Sequence, residues 1–251
     1  MSHAWRVTVF LAGAAGIAVL FALVCRTLPG PLPVRNRYAE AINSRVYAQR
    51  NVTDAVSAVN FDYRGFDTIG EEFILFVSVL GSISLLRITS ERTEGLLADA
   101  AEPSRDVPAS DAISLWVLVM IAPKVLFGIY IVTHGQLTPG GGFQGGVILA
   151  SAALILYVGE SFAVFRKVVS WRLVELAEAA GAGGFLLIGM IAWFWGKPFL
   201  TNVLPLGKTH ELTSGGTMPL ISLATGLEVM AGFVLLLFAF LQETLTVRGE
   251  E

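Results

Sequence analysis

The sequence has little charge and few of the residues that build soluble metal or disulfide sites. Only 15% of its 251 residues are Asp, Glu, Lys or Arg, whereas soluble domains carry about 25%. One cysteine and three histidines exclude a disulfide framework and a cysteine-rich zinc site. The net charge of −3 gives no basis for a nucleic-acid partner.

The common catalytic and nucleotide-binding motifs are also missing. The chain contains no H-E-x-x-H, no nucleophile elbow and no G-x-x-x-x-G-K-[ST]. We therefore expect neither an enzyme nor a bound cofactor. We also expect no fixed metal site, although transient contact with Na+ is compatible with such a chain.

The sequence is instead rich in apolar residues, since 54% of its residues are hydrophobic. Runs of about 18 apolar residues predict membrane-spanning helices. The fold expected is therefore an all-α polytopic membrane protein that contacts the lipid bilayer. Six spans are predicted, over 7–25, 68–86, 112–133, 144–164, 178–196 and 219–242.

The connections between these spans differ in character. The first, 26–67, opens with a proline-rich stretch that cannot be helical. Helical spacing then predicts two short interfacial helices near 38–46 and 52–60, the second capped by Asn51. Residues 88–111 are polar and predict an exposed loop. Outside the first connection, the inter-helix loops carry six Lys or Arg on one side against two on the other, which favours cytoplasmic termini.

Two charged residues fall well inside predicted spans, at Lys124 and Glu228. A charge at mid-membrane costs at least ~2.5–3.5 kcal/mol on insertion scales. The two spans run in opposite directions, so both charges are expected at a similar depth. This permits an ion pair or a proton relay. The alternative is a static buried pair, or contacts with a partner protein.

A cluster of carboxylates opens the second span in "NFDYRGFDTIGEE", residues 60–72. Its carboxylates are Asp62, Asp67, Glu71 and Glu72, and they are candidates for an ion or proton path, with Asp62, Asp67 and Glu71 singled out. Asp67 and Glu71 are four positions apart and share a helix face. Such a pair suits proton handling or binding of a hydrated cation. The alternative is an ordinary acidic first turn of a helix.

A glycine-rich strip, "HGQLTPGGGFQGG", joins the third and fourth spans over residues 134–146. No strand precedes it, so a dinucleotide-binding loop is excluded by context. His134 could pass protons near neutral pH. Glycine-rich backbone at a membrane is tolerated where it packs against protein or lines a cavity. The structural loop predicted in this strip comprises Pro139, Gly140, Gly141, Gly142, Phe143, Gly145 and Gly146.

The strip and its flanks resemble the B-type (MnhB-type) subunit of Mrp-type multisubunit Na+/H+ antiporters. The stretch "THGQLTPGGGFQGGVILASAAL" (133–154) is similar to that family's hallmark, HGHxxPGGGFQGG. Gln136 stands where the second histidine is usual, which weakens any two-histidine mechanism. The later stretch "FLTNVLPLGKTHELTSGGTMPLISLATGLEV" (199–229) also looks like this family.

The front of the chain resembles a different component. The stretch "VNFDYRGFDTIGEEFILF" (59–76) is similar to the C-terminal part of the large A-type antiporter subunit, and to a small E-type subunit of membrane-bound hydrogenases, where the pattern is close to DFRGFDTxGE. Tyr63 is the departure from that pattern. The resemblance therefore implies two domains: a two-span A-type segment, 1–110, and a four-span MnhB-type domain, 111–251.

The resemblance implies a component of a complex in a prokaryotic cell membrane that exchanges Na+, or another monovalent cation, for H+. Its expected partners are large antiporter-like subunits and small membrane subunits. One alternative is the Mrp-like module of a membrane-bound hydrogenase or a related respiratory complex. Another is a structural adaptor with no role in conduction.

Overall fold

In a computed structural model, residues 3–27, 37–97, 110–160 and 162–248 are described, and they form helices joined by turns and loops. No strand occurs among these residues. The chain divides into two compact units, residues 1–40 and residues 41–251. The first contains one long apolar helix, and the second contains all the other long helices.

The helices and helical turns follow one another along the whole described chain. They are α1 (His3–Thr27), α2 (Arg37–Asn43), α3 (Val46–Arg50), α4 (Ala55–Ala58), a π-helical turn (Val59–Tyr63), α5 (Gly65–Leu97), α6 (Asp111–Thr133), α7 (Gly142–Gly159), α8 (Phe162–Val168), α9 (Trp171–Ile191), a 3-10 turn (Ala192–Trp195) and α10 (Met218–Arg248).

Six of these helices are long and apolar enough to cross a membrane, which confirms the predicted number. The membrane-spanning segments are Val7–Thr27, Gly65–Leu86, Asp111–Thr133, Gly142–Gly159, Trp171–Trp195 and Met218–Leu241. Segment Val7–Thr27 belongs to α1, whose side chains are exposed within its own unit. A helix that is apolar all round requires lipid or other protein to cover it.

Three of the predicted boundaries are wrong. The fourth span ends at Gly159 rather than at residue 164, since Glu160 is the C-cap of α7. The fifth span begins at Trp171 rather than at residue 178, because the charged residues before 178 belong to the helix. The loop predicted over 88–111 is wrong for residues 88–97, since α5 continues to Leu97. The remainder of that loop, 98–109, lies outside the described residues.

Contacts between helices give their relative directions. On α6 and α7, Gly128 lies against Leu149 and Val117 lies against Gly159, so these two helices are antiparallel. Gly142 lies against Thr225 and Gly146 against Val229, so α7 and α10 are parallel.

The directions of α5 and α9 follow in the same way. Gly181 of α9 lies against Glu228, whereas Glu178 lies near Gly232, so α9 is antiparallel to α10. Helix α5 is parallel to α10, because Val79 and Ile83 share an apolar cluster with Leu235 and Ala239. Helices α5, α7 and α10 therefore begin, and α6 and α9 end, at the same end of the bundle.

We call that end the loop face, because segments 51–64, 134–141 and 196–217 are attached there. An apolar cluster joins the segments to the helices, with Val52 and Phe61 packed among Ile69, Phe185 and Met218. The short helices α2, α3 and α4 replace the two predicted over 38–46 and 52–60.

The predicted cap of the second short helix is wrong. Asp54, not Asn51, is the N-cap of α4, and its carboxylate accepts a hydrogen bond from the Ser57 amide at 2.9 Å. Asn51 instead ends α3 in a left-handed conformation with φ of 56°. Its side chain donates to the Gly207 carbonyl at 2.7 Å, so it ties two loop-face segments together.

Candidate functional site

Three glutamates from three different spans are buried inside the bundle. Glu72 on α5 and Glu178 on α9 are each 3% exposed, and Glu228 on α10 is 1% exposed. Glu72 and Glu178 both lie within electrostatic range of Glu228, which is therefore the central member. We call these three residues the glutamate cluster.

The carboxyl groups of this cluster lack hydrogen-bond partners within the described part of the chain. Unpaired buried atoms include Oε2 of Glu72, Oε1 of Glu178 and both carboxyl oxygens of Glu228. Buried polar atoms in native proteins are almost always satisfied. Carboxyl oxygens left in this way are available to a proton, a water molecule or a cation.

Small residues let the three helices bring these glutamates together. A methyl group at Gly181 would come within 2.5 Å of the Glu228 amide nitrogen, so only glycine allows α9 to lie this close to α10. A methyl group at Gly232 would come within 3.3 Å of Glu178 Oε1 and 3.2 Å of Val79. Glycine at these two positions therefore places the carboxyl groups on facing helix surfaces.

The cluster lies near the middle of the membrane. Glu72 is seven residues from the start of α5, and Glu228 is ten residues from the start of α10. At 1.5 Å per residue these positions are roughly 10 and 15 Å from the loop face, within a hydrocarbon core of about 30 Å. Ionised carboxylates without counter-charge are costly at that depth. A proton, a cation or a positively charged group of a partner protein would offset this cost.

Lys124 does not pair with Glu228, so the hypothesis of a direct ion pair is wrong. Lys124 is partly buried on α6 and has no hydrogen bond or ion pair to any residue that the structure describes. Nine residues separate it from the end of α6, roughly 13–14 Å, so its depth is close to that of Glu228. Helix α7 packs along both α6 and α10, with Gly145 against Val132 and Gly146 against Val229. The two charges share a depth but face different surroundings.

The predicted carboxylates at 62–71 do not join the glutamate cluster. Asp62 accepts hydrogen bonds from Arg50 Nε and Asn202 Nδ2, both at 2.7 Å. Asp67 is exposed and forms an ion pair with Arg64. Glu71 is also exposed. Asp62 is therefore part of a loop-face network, whereas Asp67 and Glu71 are on the outer surface of this chain.

His134 ends α6 at the loop face. Its ring stacks on Tyr130, with centroids 4.1 Å apart, and its Nδ1 lies 3.2 Å from the Tyr130 carbonyl oxygen. The side chain is partly exposed. This position keeps the imidazole at the entrance to the bundle, away from the mid-membrane carboxyl groups.

The glycine-rich strip forms a turn only as far as Gly141. The structural loop predicted for this strip is wrong for Gly142, Phe143, Gly145 and Gly146, because they lie in the first turns of α7. Gly140 and Gly141 have φ of 153° and 127°, which side chains rarely allow. Gly142 then packs onto α10. Of the remaining predicted loop residues, Gly145 and Gly146 are buried helix contacts, whereas Pro139 and Phe143 are exposed.

Gln136 holds the strip to two other loop-face segments. Its carbonyl oxygen accepts the amides of Thr53 and Asp54 at 3.2 and 3.3 Å. Its side-chain Nε2 donates to the Leu212 carbonyl at 2.7 Å. The side chain is 1% exposed. Gln136, which departs from the hallmark pattern, therefore stabilises the packing of the loop-face segments in this chain.

Sequence reasoning missed one member of the cluster, Glu178, and did not single out another, Glu72, from its neighbours. Glu72 adjoins Glu71, and the motif match favours Glu71 because the pattern ends there. Glu178 falls at the edge of the predicted fifth span, because charged neighbours conceal the start of α9. The signal that could have found it is a carboxylate amid small residues, "ELAEAAGAGG", a composition typical of close helix packing.

Comparison with known proteins identifies the family of this chain. Residues 112–235 match a family model described as a domain related to the MnhB subunit of Na+/H+ antiporters. An uncharacterized protein of Methanocaldococcus jannaschii, MJ1307, is 32% identical over 200 residues, covering 72% of this chain and 74% of that protein. The chain belongs to the MnhB-related family. The matched residues lie inside the MnhB-type domain predicted over 111–251, and the boundary at 110/111 itself stays a prediction.

Another relative combines both component types in its name. A probable K+/H+ antiporter protein of Rhizobium meliloti, described as a combined A/B subunit, is 25% identical over 210 residues. The match covers 76% of this chain but only 20% of that protein. This MnhB-related chain therefore spans about a fifth of that relative's length.

Two solved structures share the fold. A chain of the membrane-bound sulfane sulfur reductase, an archaeal respiratory membrane complex, superposes with a TM-score of 0.69 at 26% identity, covering 94% of this chain and 98% of that one. A chain of the Mrp complex from Dietzia sp. DQ12-45-1b superposes with a TM-score of 0.71 at 22% identity, covering 95% and 26%. The arrangement of helices is thus one that membrane complexes of two kinds contain.

Proposed function

We propose that this chain is a membrane component of an Mrp-type complex that exchanges a monovalent cation, Na+ in the first instance, for H+. Its partners are then large antiporter-like subunits and small membrane subunits, in a prokaryotic cell membrane with the termini on the cytoplasmic side. The observation that carries the proposal is the glutamate cluster, which places unpaired carboxyl groups near mid-membrane. Membership of the MnhB-related family supports the same assignment.

A transport role follows from the chemistry of the cluster. Ionisable groups inside membrane spans mark ion pathways and proton relays, because nothing else offsets their cost. Glu228 is central, because both of its carboxyl oxygens are unpaired and each of the other two glutamates lies close enough to interact with its charge. We assign Glu228 as the group that exchanges protons or a cation with its neighbours.

The test is Glu228→Gln in the assembled complex, reconstituted in vesicles. Amide replacement retains the side-chain size but removes the charge and the exchangeable carboxyl proton. We expect cation/proton exchange to fall by about tenfold or more, equivalent to ~1.4 kcal/mol or more in the barrier. Glu211→Gln, on the exposed loop-face segment, is the matched control. Normal exchange by an intact Glu228→Gln complex would remove the conduction role.

A second candidate is the same module within a membrane-bound redox complex, such as a hydrogenase. The observation in its favour is the superposition on the archaeal respiratory complex, which covers almost the whole of both chains. Purification of the native complex distinguishes the two. Co-purifying proteins with nickel or iron–sulfur clusters would favour the redox complex, and their absence alongside large antiporter-like subunits would favour the antiporter.

A third candidate, from a different class, is a structural adaptor that conducts nothing. Lys124 favours it, because a partly buried lysine near mid-membrane without a partner in the described residues needs an acidic group from elsewhere. A contact of this kind is compatible with conduction through the glutamate cluster. The Glu228→Gln experiment therefore decides between an adaptor and a conducting component.

A further inference from the structure

Two kinds of buried hydroxyl occur near the start of α10. Ser222 Oγ donates to the Val132 carbonyl at 2.8 Å, so its hydrogen-bonding capacity is used by the backbone. Thr225 is 0% exposed, and its Oγ1 has no hydrogen-bond partner among the described residues. Hydroxyls inside helices commonly bond to the carbonyl one turn back. The Thr225 hydroxyl is thus unusual, because its hydrogen-bonding capacity is not used by the described residues.

Thr225 lies between the loop face and the glutamate cluster. It is three residues beyond Ser222 and three residues before Glu228 on the same helix, so each step is about 4.5 Å along the axis. Gly142, the first residue of α7, lies directly against it, since a methyl group there would come within 2.7 Å of Thr225 Cβ. Residues three apart on a helix are neighbours. Neither the Thr225 hydroxyl nor the Glu228 carboxyl group has a hydrogen-bond partner among the described residues, so a water molecule between them would join the two.

Unpaired polar atoms also occur at the loop face. Ser214 Oγ and Gln136 Oε1 are both buried without partners in the described part of the chain. Gly135, next to Gln136, lies against Ser222, with a methyl group there only 3.3 Å from the Ser222 hydroxyl. Groups of this kind usually bind internal water. Buried groups that can bind water therefore occur both at the loop face and at Thr225.

The opposite direction is closed by apolar side chains. Beyond Glu228 and toward the other end of the bundle, α5 and α10 pack through Val79, Ile83, Leu235 and Ala239. Val234 and Phe238 are buried there as well. The described residues thus contain unpaired polar atoms on the loop-face side of Glu228 and apolar packing between α5 and α10 on its other side.

We propose that protons reach the glutamate cluster from the loop face only, and that the Thr225 hydroxyl is the group that passes them to Glu228. The hydroxyl gives its proton, through a water, to the Glu228 carboxylate and takes another from a water on the loop-face side. That water is reprotonated from the solution at the loop face, so the net change is one proton transferred from the solution to Glu228. Protons rather than cations suit this step, because a single hydroxyl packed against Gly142 cannot replace the oxygen ligands of a hydrated cation. The inference rests on the proposed function and specifies its proton route.

The first test compares Thr225→Val, which removes the hydroxyl at constant shape, with Thr225→Ser, which keeps it. In vesicles containing the assembled complex, we expect the rate of exchange to fall roughly tenfold in Thr225→Val. A change of this size corresponds to the loss of one hydrogen bond that stabilises the transition state of proton transfer. Thr225→Ser should retain most of the rate. Ser151→Ala is the control, because the Ser151 hydroxyl only bonds the Ile148 carbonyl. Wild-type exchange by an assembled Thr225→Val complex overturns the route.

Glu228→Gln measured in the same vesicles separates two failures. If Glu228→Gln is slow while Thr225→Val is normal, the proposed function stands and the Thr225 route is wrong. If both are normal, the conduction role itself is wrong. If Thr225→Val and Thr225→Ser are equally slow, the hydroxyl is not the cause and the route is overturned.

The second test measures from which side Glu228 exchanges its proton. Cys25, the only cysteine, is replaced by Ser, and labelling of Leu212→Cys, an exposed loop-face position, with a membrane-impermeant thiol reagent identifies the loop-face side of the vesicles. A pH jump is then applied to either side, and the infrared carboxyl band that Glu228→Gln lacks is followed. We expect the band to respond to a jump on the loop-face side, and to respond more slowly in Thr225→Val. A response to the opposite side, or to neither, overturns the inference.

Discussion

Gly181 of α9 lies directly on the backbone of Glu228 of α10. A methyl group at Gly181 would come within 2.5 Å of the Glu228 amide nitrogen and 2.7 Å of its Cβ. The contact determines how closely the two helices approach, and therefore whether Glu178 can face Glu228. The central carboxylate of the bundle depends on the absence of a side chain on the neighbouring helix.

Gly181→Ala should accordingly disturb the cluster. The added methyl group must push α9 from α10, at a cost of about 1–3 kcal/mol, as for overpacking in a protein core. We expect a lower thermal midpoint of the purified complex and slower cation/proton exchange. Gly183→Ala is the matched control, since nothing lies within 4 Å of a methyl group there. Equal stability of the two variants would show that the close approach is unimportant.

Asp62 should act on stability rather than on transport. Its carboxylate, 6% exposed, joins Arg50 to Asn202, and Asn202 in turn accepts the Thr217 amide at 3.0 Å. Asp62→Asn removes the charge that this network needs, at a cost of about 1.5–3 kcal/mol for hydrogen bonds to a charged group. We expect a lower thermal midpoint, with near-normal exchange in the complexes that remain assembled.

Asp67→Asn provides the comparison for Asp62. Asp67 is exposed, and its ion pair with Arg64 is at the surface of this chain, so its loss should cost at most about 1 kcal/mol. Abolished exchange in a fully stable Asp62→Asn complex would return Asp62 to the ion path that the sequence first suggested.

Lys124 should contribute to assembly with a partner protein of the complex. Lys124→Met keeps the length and apolar stem of the side chain while removing the charge. If a carboxylate of another component balances that charge, we expect fewer partner proteins to co-purify with the Met variant and normal recovery with Lys124→Arg. Lys208→Met, in an exposed loop-face position, is the control. Unchanged composition of the complex for Lys124→Met would contradict the partner contact.

Much of the architecture could be predicted from the sequence because membrane spans are local features. A run of about 18 apolar residues is long enough to cross a bilayer wherever it occurs in the chain, and all six predicted spans are present. The π-helical turn at 59–63 and the N-cap at Asp54 could not be predicted, because they depend on packing at the loop face. The start of α9 is missed because its charged residues resemble a loop when their burial is unknown.

The candidate site was only partly predictable. Glu228 stood out, since a charge in the centre of an apolar span is costly in any fold. The sequence could not distinguish Glu71 from Glu72, because adjacent residues on a helix point about 100° apart and only packing decides which one faces inward. In the folded chain Glu72 is buried and Glu71 is exposed.

Sequence alone thus determined that this protein lies in a membrane, how many times it spans the membrane, and which family its glycine-rich strip resembles. Each of these is a property of consecutive residues. Tertiary structure decided which charges meet. It left Lys124 and Glu228 without an ion pair, although α6 and α10 touch at Val132 and Gly226, and it brought Glu72 and Glu178 to Glu228 through contacts at Gly181 and Gly232. Such contacts join residues that are far apart in the chain. Their interaction energies depend on how each helix is rotated and how closely two helices approach, which no local sequence pattern encodes.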